Sequence, residues 1–465
     1  MKKITRTFAV CLTAGLLLLS ACTPTETARE ETAWDDFLSQ TDEQHKNNVT
    51  QRTPPDLLSY PYPDTLAGTY DPQDPWYLDS GEGKSTLTAQ EARKDVEAFF
   101  QLLHDFYGGY GYFGGDETFQ PALEQVLSDL SGKTKVSDKS LQQSLETALA
   151  PLILDGHFAI NGHYLCASQR LNMYYVPDLY LDEEQVEAMD PLYVKRTIGP
   201  DGALSWCFAA LSGNGSDLPE QLGEYTDLDW TLAEAAPNIG STVYERREVD
   251  GLTVLVNQVL SDAGAEGDGW YERMDQLNEF AGSGESYRGL PVFVIDLRGN
   301  IGGQPAFTRR WFEGFAGTAP TPCQSMLIRW SPLNGFMESL GYSVPEEPGE
   351  PVIEQTEGSW VNNNSVIFCL TDYATASAGE WFVGDLHTME HVVFVGSNTC
   401  GATLMTNNQT YYLPNSGLTV SFGTSLMLTP DENQEEIGFQ PDLWVAPADA
   451  LEAVSRLCSY YGLNP

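Results

Sequence analysis

No lysine occurs after Lys195, so the C-terminal half of this 465-residue chain has no amine to offer as a base. Basic residues are scarce throughout: 24 Lys and Arg stand against 66 Asp and Glu, a formal charge of -42. A field of that sign repels phosphate backbones and anionic head groups, which excludes nucleic-acid partners. Eight cysteines are too few for a disulfide scaffold. Beyond the first 21 residues no stretch approaches the ~20 apolar residues needed to span a bilayer. Histidine is limited to positions 45, 104, 157, 163, 387 and 391, and no cysteine or carboxylate cluster around the 157/163 pair completes a zinc site. Neither a metal nor a cofactor is expected. What is present is ample core material, 42% hydrophobic and 11% aromatic, in a chain longer than the roughly 250–300 residues at which single cores stop growing.

The N-terminus sets the compartment. Lys2, Lys3 and Arg6 precede an apolar run from Thr7 to Leu19, which ends Leu19-Ser20-Ala21-Cys22. A basic start, a short apolar run and small residues at the end make a secretory signal. The ending resembles the bacterial lipobox, which implies that Cys22 is lipidated and that the exported protein is held at the cell membrane by lipid alone. The plainer alternative is signal cleavage beside an incidental cysteine. Residues 1–21 are therefore read as signal. Residues 22–86, with Pro54, Pro55, Pro61, Pro63, Pro72 and Pro75 and no sustained period, are read as a flexible tether.

Order is expected from residue 87. Thr88-Ala-Gln-Glu91 has capping-box spacing, and Val96, Phe99, Phe100, Leu103 and Phe106 follow at helical intervals up to Gly108-Gly109. Two further amphipathic segments complete a helical subdomain over 87–153. Asn161-Gly162 then predicts a hairpin between 154–160 and 163–166, and 154–250 reads as that hairpin plus a mixed, β-rich region. From 251 to 465 strands and helices alternate. Strands are predicted at 252–259, 291–297, 324–330, 365–370 and 391–395, and helices at 270–280, 307–315, 378–387 and 448–461. Such interleaving indicates an α/β catalytic domain.

Four segments carry possible chemistry. Val294 to Gly303 is an apolar strand running into Arg298-Gly299-Asn300-Ile301-Gly302-Gly303, a glycine-rich turn able to aim backbone N–H groups at an anion. Ser365 to Asp372 leads through Tyr373-Ala-Thr-Ala to Ser377 at a helix mouth, where a serine is either an N-cap or a nucleophile. Asp155-Gly156-His157 precedes the hairpin. Glu435-Glu436-Ile437-Gly438-Phe439-Gln440-Pro441-Asp442 is, by itself, an acidic turn.

Taken in this order, the segments resemble the tail-specific, C-terminal-processing serine peptidase family, which includes tricorn-type core proteases. The matching motifs are Asp155-Gly-His157, Asp296 to Gly303, Thr375-Ala-Ser377-Ala-Gly-Glu380, Gly396-Ser-Asn-Thr399-Cys-Gly401 and Glu435 to Asp442. The resemblance spans roughly 90–460. It implies a crotonase/ClpP-like catalytic domain, a peptide or unfolded-protein substrate, and an acyl-enzyme mechanism with Ser377 as nucleophile. One branch of the family uses a lysine base, which this sequence does not supply. The tricorn-like branch uses a histidine and a glutamate, and His157 and Glu435 stand at those places. There a serine precedes the histidine and relays it to the glutamate; here that position is Gly156, so Glu435 reaches His157 directly or through water, or Asp155 substitutes.

The residue chemistry agrees with that carry-over. Neutral imidazole is the one suitable base available to Ser377, and a carboxylate would hold its tautomer. The oxyanion would meet the backbone N–H groups of Ala378 and of Gly302 or Gly303. Two rivals stand beside this reading. Cys166, across the hairpin from His157, would make a Cys–His pair, although nothing supplies its oxyanion site; the remaining cysteines are expected to pack as small hydrophobes or form a bridge. The chain would otherwise be a weakened or inactive peptidase fold that binds peptides at the membrane, because Gly156 breaks the relay.

Overall fold

A computed structural model describes residues 26–463, apart from 58, 69, 71–75, 79–82, 168, 188–191, 214–227, 235, 237–238, 263–267, 340, 348 and 431–434. The signal segment and Cys22 therefore lie outside the described residues. Among those described, no helix is long and apolar enough to cross a membrane.

The catalytic half is a mixed α/β unit built on a six-stranded sheet. Its order is 443–444, 392–396, 366–371, 292–296, 252–256 and 245–249, parallel except for the last strand. That edge strand folds back through Asp250-Gly251, both at positive φ, the backbone that two-residue hairpin turns require. Leu252–Val256, Val292–Asp296 and Val392–Gly396 are buried along their whole length, as expected of parallel strands covered on both faces. Side chains alternate between the two covering layers. Phe293, Ile295, Ile367 and Phe394 pack with Leu277, Trp311 and Phe382 of the helices Asp268–Gly282, Ala306–Ala316 and Ala378–Leu386. Val294, Phe368 and Val393 pack the other way, against Leu457 of the helix Ala450–Tyr461 and against Trp34, Phe37 and Leu38.

Those last three residues correct the expectation of a flexible tether over 22–86. Residues 26–50 form a helix, Glu26–Thr50, whose Trp34, Phe37, Leu38, Thr41, His45 and Val49 are buried. Their spacing is one helical face, and the face closes the catalytic sheet. Farther on, Leu57 and Tyr77 are also buried.

The 87–153 region holds three helices, Ala89–Phe106, Asp116–Asp129 and Asp138–Leu149. The capping box at its start is formed: Glu91 N donates to Thr88 Oγ1 (3.2 Å) and Thr88 N to Glu91 Oε2 (2.8 Å). Phe99, Phe106, Leu141 and Leu145 pack on a second sheet, whose order is 352–356, 324–328, 419–428, 159–160 and 163–164. Strand Met405–Tyr412 pairs along the free side of Thr419–Leu428. The predicted Asn161-Gly162 hairpin joins this sheet through Ala159 opposite Ser421 and Ile160 opposite Val420. This places the chain just before it, His157, beside the catalytic half. The β-rich remainder of 154–250 includes a third sheet, of strands 194–198, 204–212, 172–181 and 231–232, tied to the main sheet by Thr197 Oγ1 donating to Trp444 O (2.7 Å).

Candidate active site

Ser377 is the N-cap of the helix Ala378–Leu386, at φ 54 and ψ -121. Positive φ in a non-glycine residue is strained and persists only where the surroundings hold it. They do so on three sides. Ala376 N donates to Asn300 O (2.8 Å) and Thr375 Oγ1 to Leu297 O (2.9 Å), fastening the turn to the glycine-rich loop. Gly302 approaches so closely that a Cβ there would stand 2.8 Å from Ser377 Cβ, so only glycine fits. Glu380 does the most: its buried carboxyl accepts from Ser377 N (3.0 Å), Thr399 Oγ1 (2.6 Å), Gly401 N (2.7 Å) and Ala402 N (2.8 Å). Thr399 Oγ1 in turn accepts from Phe439 N (2.8 Å). Three of the sequence motifs are thereby stitched into one shell around the serine.

The serine side chain faces His157: Nε2 lies 3.0 Å from Ser377 Oγ. Burial, and then the nearby Arg170 guanidinium, push the imidazole pKa down to about 4, so the ring is neutral and ready to accept a proton at ordinary pH. The two residues open on a cavity of 320 Å³, walled also by Gly303, Ala378, Trp381 and residues 405–409.

The other residues predicted for the site divide. Ala378 opens its helix, so its N–H has no partner inside that helix, and it lines the cavity beside Gly303. Gly302 does not serve: its N–H is committed to Asn300 Oδ1 (2.8 Å). Glu435 lies beside the histidine turn, but its carboxylate is occupied by backbone donors. Oε1 accepts from Gly156 N (2.7 Å), and Oε2 from Thr403 N (3.1 Å) and Leu404 N (2.9 Å). Burial and the neighbouring Asp155 push its pKa well up. The His157 Nδ1 is buried without a hydrogen-bond partner. Asp155 binds the backbone and not the ring, accepting from His157 N (2.8 Å) and Tyr107 OH (3.0 Å), and burial raises it to about 6.

Cys166 is removed as a nucleophile: it is buried, its Sγ donates to Ile153 O (3.0 Å), and burial pushes the thiol up to about 12. His163 is on the exposed side of the hairpin, with Nδ1 3.1 Å from Glu146. Among the described residues Cys166, Cys207, Cys369, Cys400 and Cys458 are free thiols. Away from the cavity, Asp42, Glu390 and His391 gather with donor atoms within 4.8 Å of one another. However, Asp42 Oδ1 and Glu390 Oε2 already accept backbone N–H groups from His391 and Asn363.

Sequence reading gave Glu380 no role, although its place three residues after a helix N-cap is capping-box spacing. It also gave no role to Arg170, whose guanidinium the tertiary fold brings near His157, or to Glu436, 3.4 Å from Arg170.

A serine hydroxyl held against a neutral imidazole is the chemistry of a serine hydrolase. Residues 338–445, which include Ser377 and Glu435, match the model of peptidase family S41. Over this segment, about a quarter of the chain, it resembles that family, which supports a serine-type peptidase. No curated protein matches it in sequence. Among solved structures it is similar to mature CPAF, at 13% identity over 80% of this chain and 96% of that one, with a TM-score of 0.42. It is similar also to a lipoprotein from Streptococcus agalactiae (14%, 80% and 97%, TM-score 0.38). A third is the photosystem II D1 C-terminal processing protease (15%, 79% and 96%, TM-score 0.37).

Proposed function

We propose that the protein is an exported, lipid-anchored endopeptidase that cleaves peptides or protein tails through a Ser377 acyl-enzyme. The observation that carries this reading is the 3.0 Å contact between Ser377 Oγ and His157 Nε2 across 220 residues of sequence. In this scheme Ser377 Oγ attacks the scissile carbonyl and gives its proton to His157 Nε2. The oxyanion is held by the N–H groups of Ala378 and Gly303 at a helix N-terminus and a glycine-rich turn. His157 then returns the proton to the leaving amine, and water, deprotonated by the same imidazole, releases the acyl group. Glu435 acts by fixing the backbone of Gly156 and so seating the histidine turn. The catalytic domain is of crotonase/ClpP type in this reading, and the peptide enters along residues 405–409.

Ser377→Ala should abolish hydrolysis of an unfolded protein substrate while circular dichroism and Tm stay at wild-type values. Retained turnover in the purified variant would remove Ser377 from the mechanism. The anchor rests on Leu19 to Cys22: Cys22→Ala should move the protein from the membrane to the soluble fraction or block its processing. A processed variant that stays membrane-bound would contradict lipidation. A weakened enzyme that chiefly binds peptides is the second reading, favoured by the unpartnered Nδ1 of His157.

A further inference from the structure

Five buried polar atoms with no hydrogen-bond partner lie on residues that adjoin the histidine turn or its acidic neighbours: His157 Nδ1, Arg170 Nε, Asn398 Oδ1 and both carboxylate oxygens of Glu436. Buried polar groups are rarely left unpaired, and a concentration of them marks a place where a site has been kept open. Glu436 is held there under strain. Its φ is 63, in the left-handed region that glycine favours. Its backbone is pinned on both sides, N donating to Gly401 O (2.7 Å) and O accepting from Leu171 N (2.8 Å). Arg170 Nε stands 3.4 Å from Glu436 Oε2, an ion-pair contact short of a formed hydrogen bond. The chain is missing a side chain at the centre of this group. A Cβ on Gly156 would point between the two carboxylates, 3.2 Å from Glu435 Oε1 and 3.3 Å from Glu436 Oε1. Glu435 spends its oxygens on three backbone donors; those of Glu436 meet only the Arg170 guanidinium.

We propose that Glu436, paired with Arg170, is a second positioning carboxylate for His157, acting across the space beside Gly156. Its part is to hold the imidazole tautomer with Nδ1 protonated and to stabilise the imidazolium formed when Ser377 is deprotonated. This deepens the serine–histidine reading and rests on it.

A structural pairing and a positioning role differ in their pH signature. Burial raises Glu436 to about 7, with Arg170 opposing and Asp155 and Glu380 adding to it. Arg170 is the charged group whose field reaches the imidazole; Asp155 accepts from the His157 backbone, and Glu435 and Glu436 face the notch at Gly156. Tyr107 and Cys166 stand next to Asp155, and Glu380 and Cys400 next to Arg170. The experiment measures the second-order rate of Ser377 modification by an aryl phosphonate against pH, in the full chain. Wild type should show a step upward near pH 7, of roughly tenfold for each pK unit that the carboxylate adds to the imidazolium. Glu436→Gln should lose that step. Arg170→Met, which removes the opposing cation, should move it to higher pH, and Arg170→Lys should bring it back. The position of a step does not depend on the folded fraction, so the two arginine variants decide the matter even if Glu436→Gln folds poorly. A step that persists unmoved in Glu436→Gln, or one indifferent to Arg170→Met, overturns the proposal. Absence of any labelling of wild-type Ser377 would instead sink the serine–histidine reading beneath it.

Discussion

Glu380 receives a 2.6 Å hydrogen bond from Thr399 and a 3.0 Å bond from the backbone of Ser377, so one carboxyl joins the nucleophile turn to the loop that faces it. The strained backbone of Ser377 depends on this joint. Glu380→Ala leaves four donors without an acceptor in a buried place, where each unmade bond costs about 1–3 kcal/mol. We expect the variant to be destabilised by about 3 kcal/mol or more in urea unfolding and to lose most of its hydrolysis. A variant of wild-type stability and activity would show that the turn is held elsewhere.

Gly156 tests whether the notch beside His157 is used. A Cβ there comes within 3.0 Å of Ala402 Cβ, so any side chain needs a shift of a few tenths of an ångström. Gly156→Ser offers a hydroxyl that can accept from the imidazole and donate to Glu435, whereas Gly156→Ala fills the same space with a methyl and leaves the imidazole Nδ1 unpaired. At about 1–3 kcal/mol for an unsatisfied buried group, the serine variant should exceed the alanine variant by about tenfold or more in kcat/KM. Equal loss in both would mean that the space itself, and not the polar link, matters.

The acid limb of the activity profile is the third expectation. The catalytic form of His157 is neutral, and burial with Arg170 holds its pKa at about 4, below the ordinary histidine value of ~6.5. In Glu436→Gln, which lacks the step near pH 7, activity should therefore survive as pH falls through 6.5 and disappear with a midpoint near 4. Steady-state kcat/KM on a short ester substrate reads this directly. A limb centred at 6.5 would place the imidazole in water-like surroundings.

Stability should vary with pH in a definite direction. Burial raises Asp155 to about 6, Asp385 to about 7 and Glu436 to about 7. Between pH ~4 and ~7 the folded chain therefore keeps protons that the unfolded chain has lost, and stability falls as pH rises through that window. His157, which burial lowers to about 4, works oppositely between pH ~4 and ~6.5, as does His387 below the ordinary histidine value, but they are fewer. The formal charge of -42 at pH 7 adds self-repulsion at the alkaline end. Tm should be higher at pH 5.5 than at pH 8; the reverse order would mean that these carboxyls are ionised in the folded state.

Much of the site was legible because each motif is local and its order along the chain is informative. Asp296 to Gly303, Thr375 to Glu380 and the hairpin after His157 are all found where strand, turn and helix signals placed them. The catalytic strands were readable as continuous apolar runs. The helix Glu26–Thr50 was not, although Trp34, Phe37, Leu38, Thr41, His45 and Val49 keep a helical interval: Thr41 and His45 dilute the seam with polar residues, and prolines from Pro54 onward suggested a linker. Strands Met405–Tyr412 and Thr419–Leu428 were missed because Asn407-Asn408 and Pro414-Asn415 resemble turns, while Asn407, at φ 56, interrupts the ladder between the pairs Thr406–Ser425 and Asn408–Gly423 without shifting its register. That Glu435 is occupied by Gly156, Thr403 and Leu404 and that Glu436 meets Arg170 are matters of packing between distant segments, which no periodicity encodes.

The account stands on Ser377 being activated by His157. Its most direct test is covalent labelling by an aryl phosphonate at pH 7.5, with the modified peptide mapped, in wild type and in His157→Ala. The account predicts one label per chain on Ser377 in wild type and a rate lower by several orders of magnitude in the variant, the size of triad deletions. Labelling of Ser377 at comparable rates in both proteins, or labelling at another residue, would contradict it.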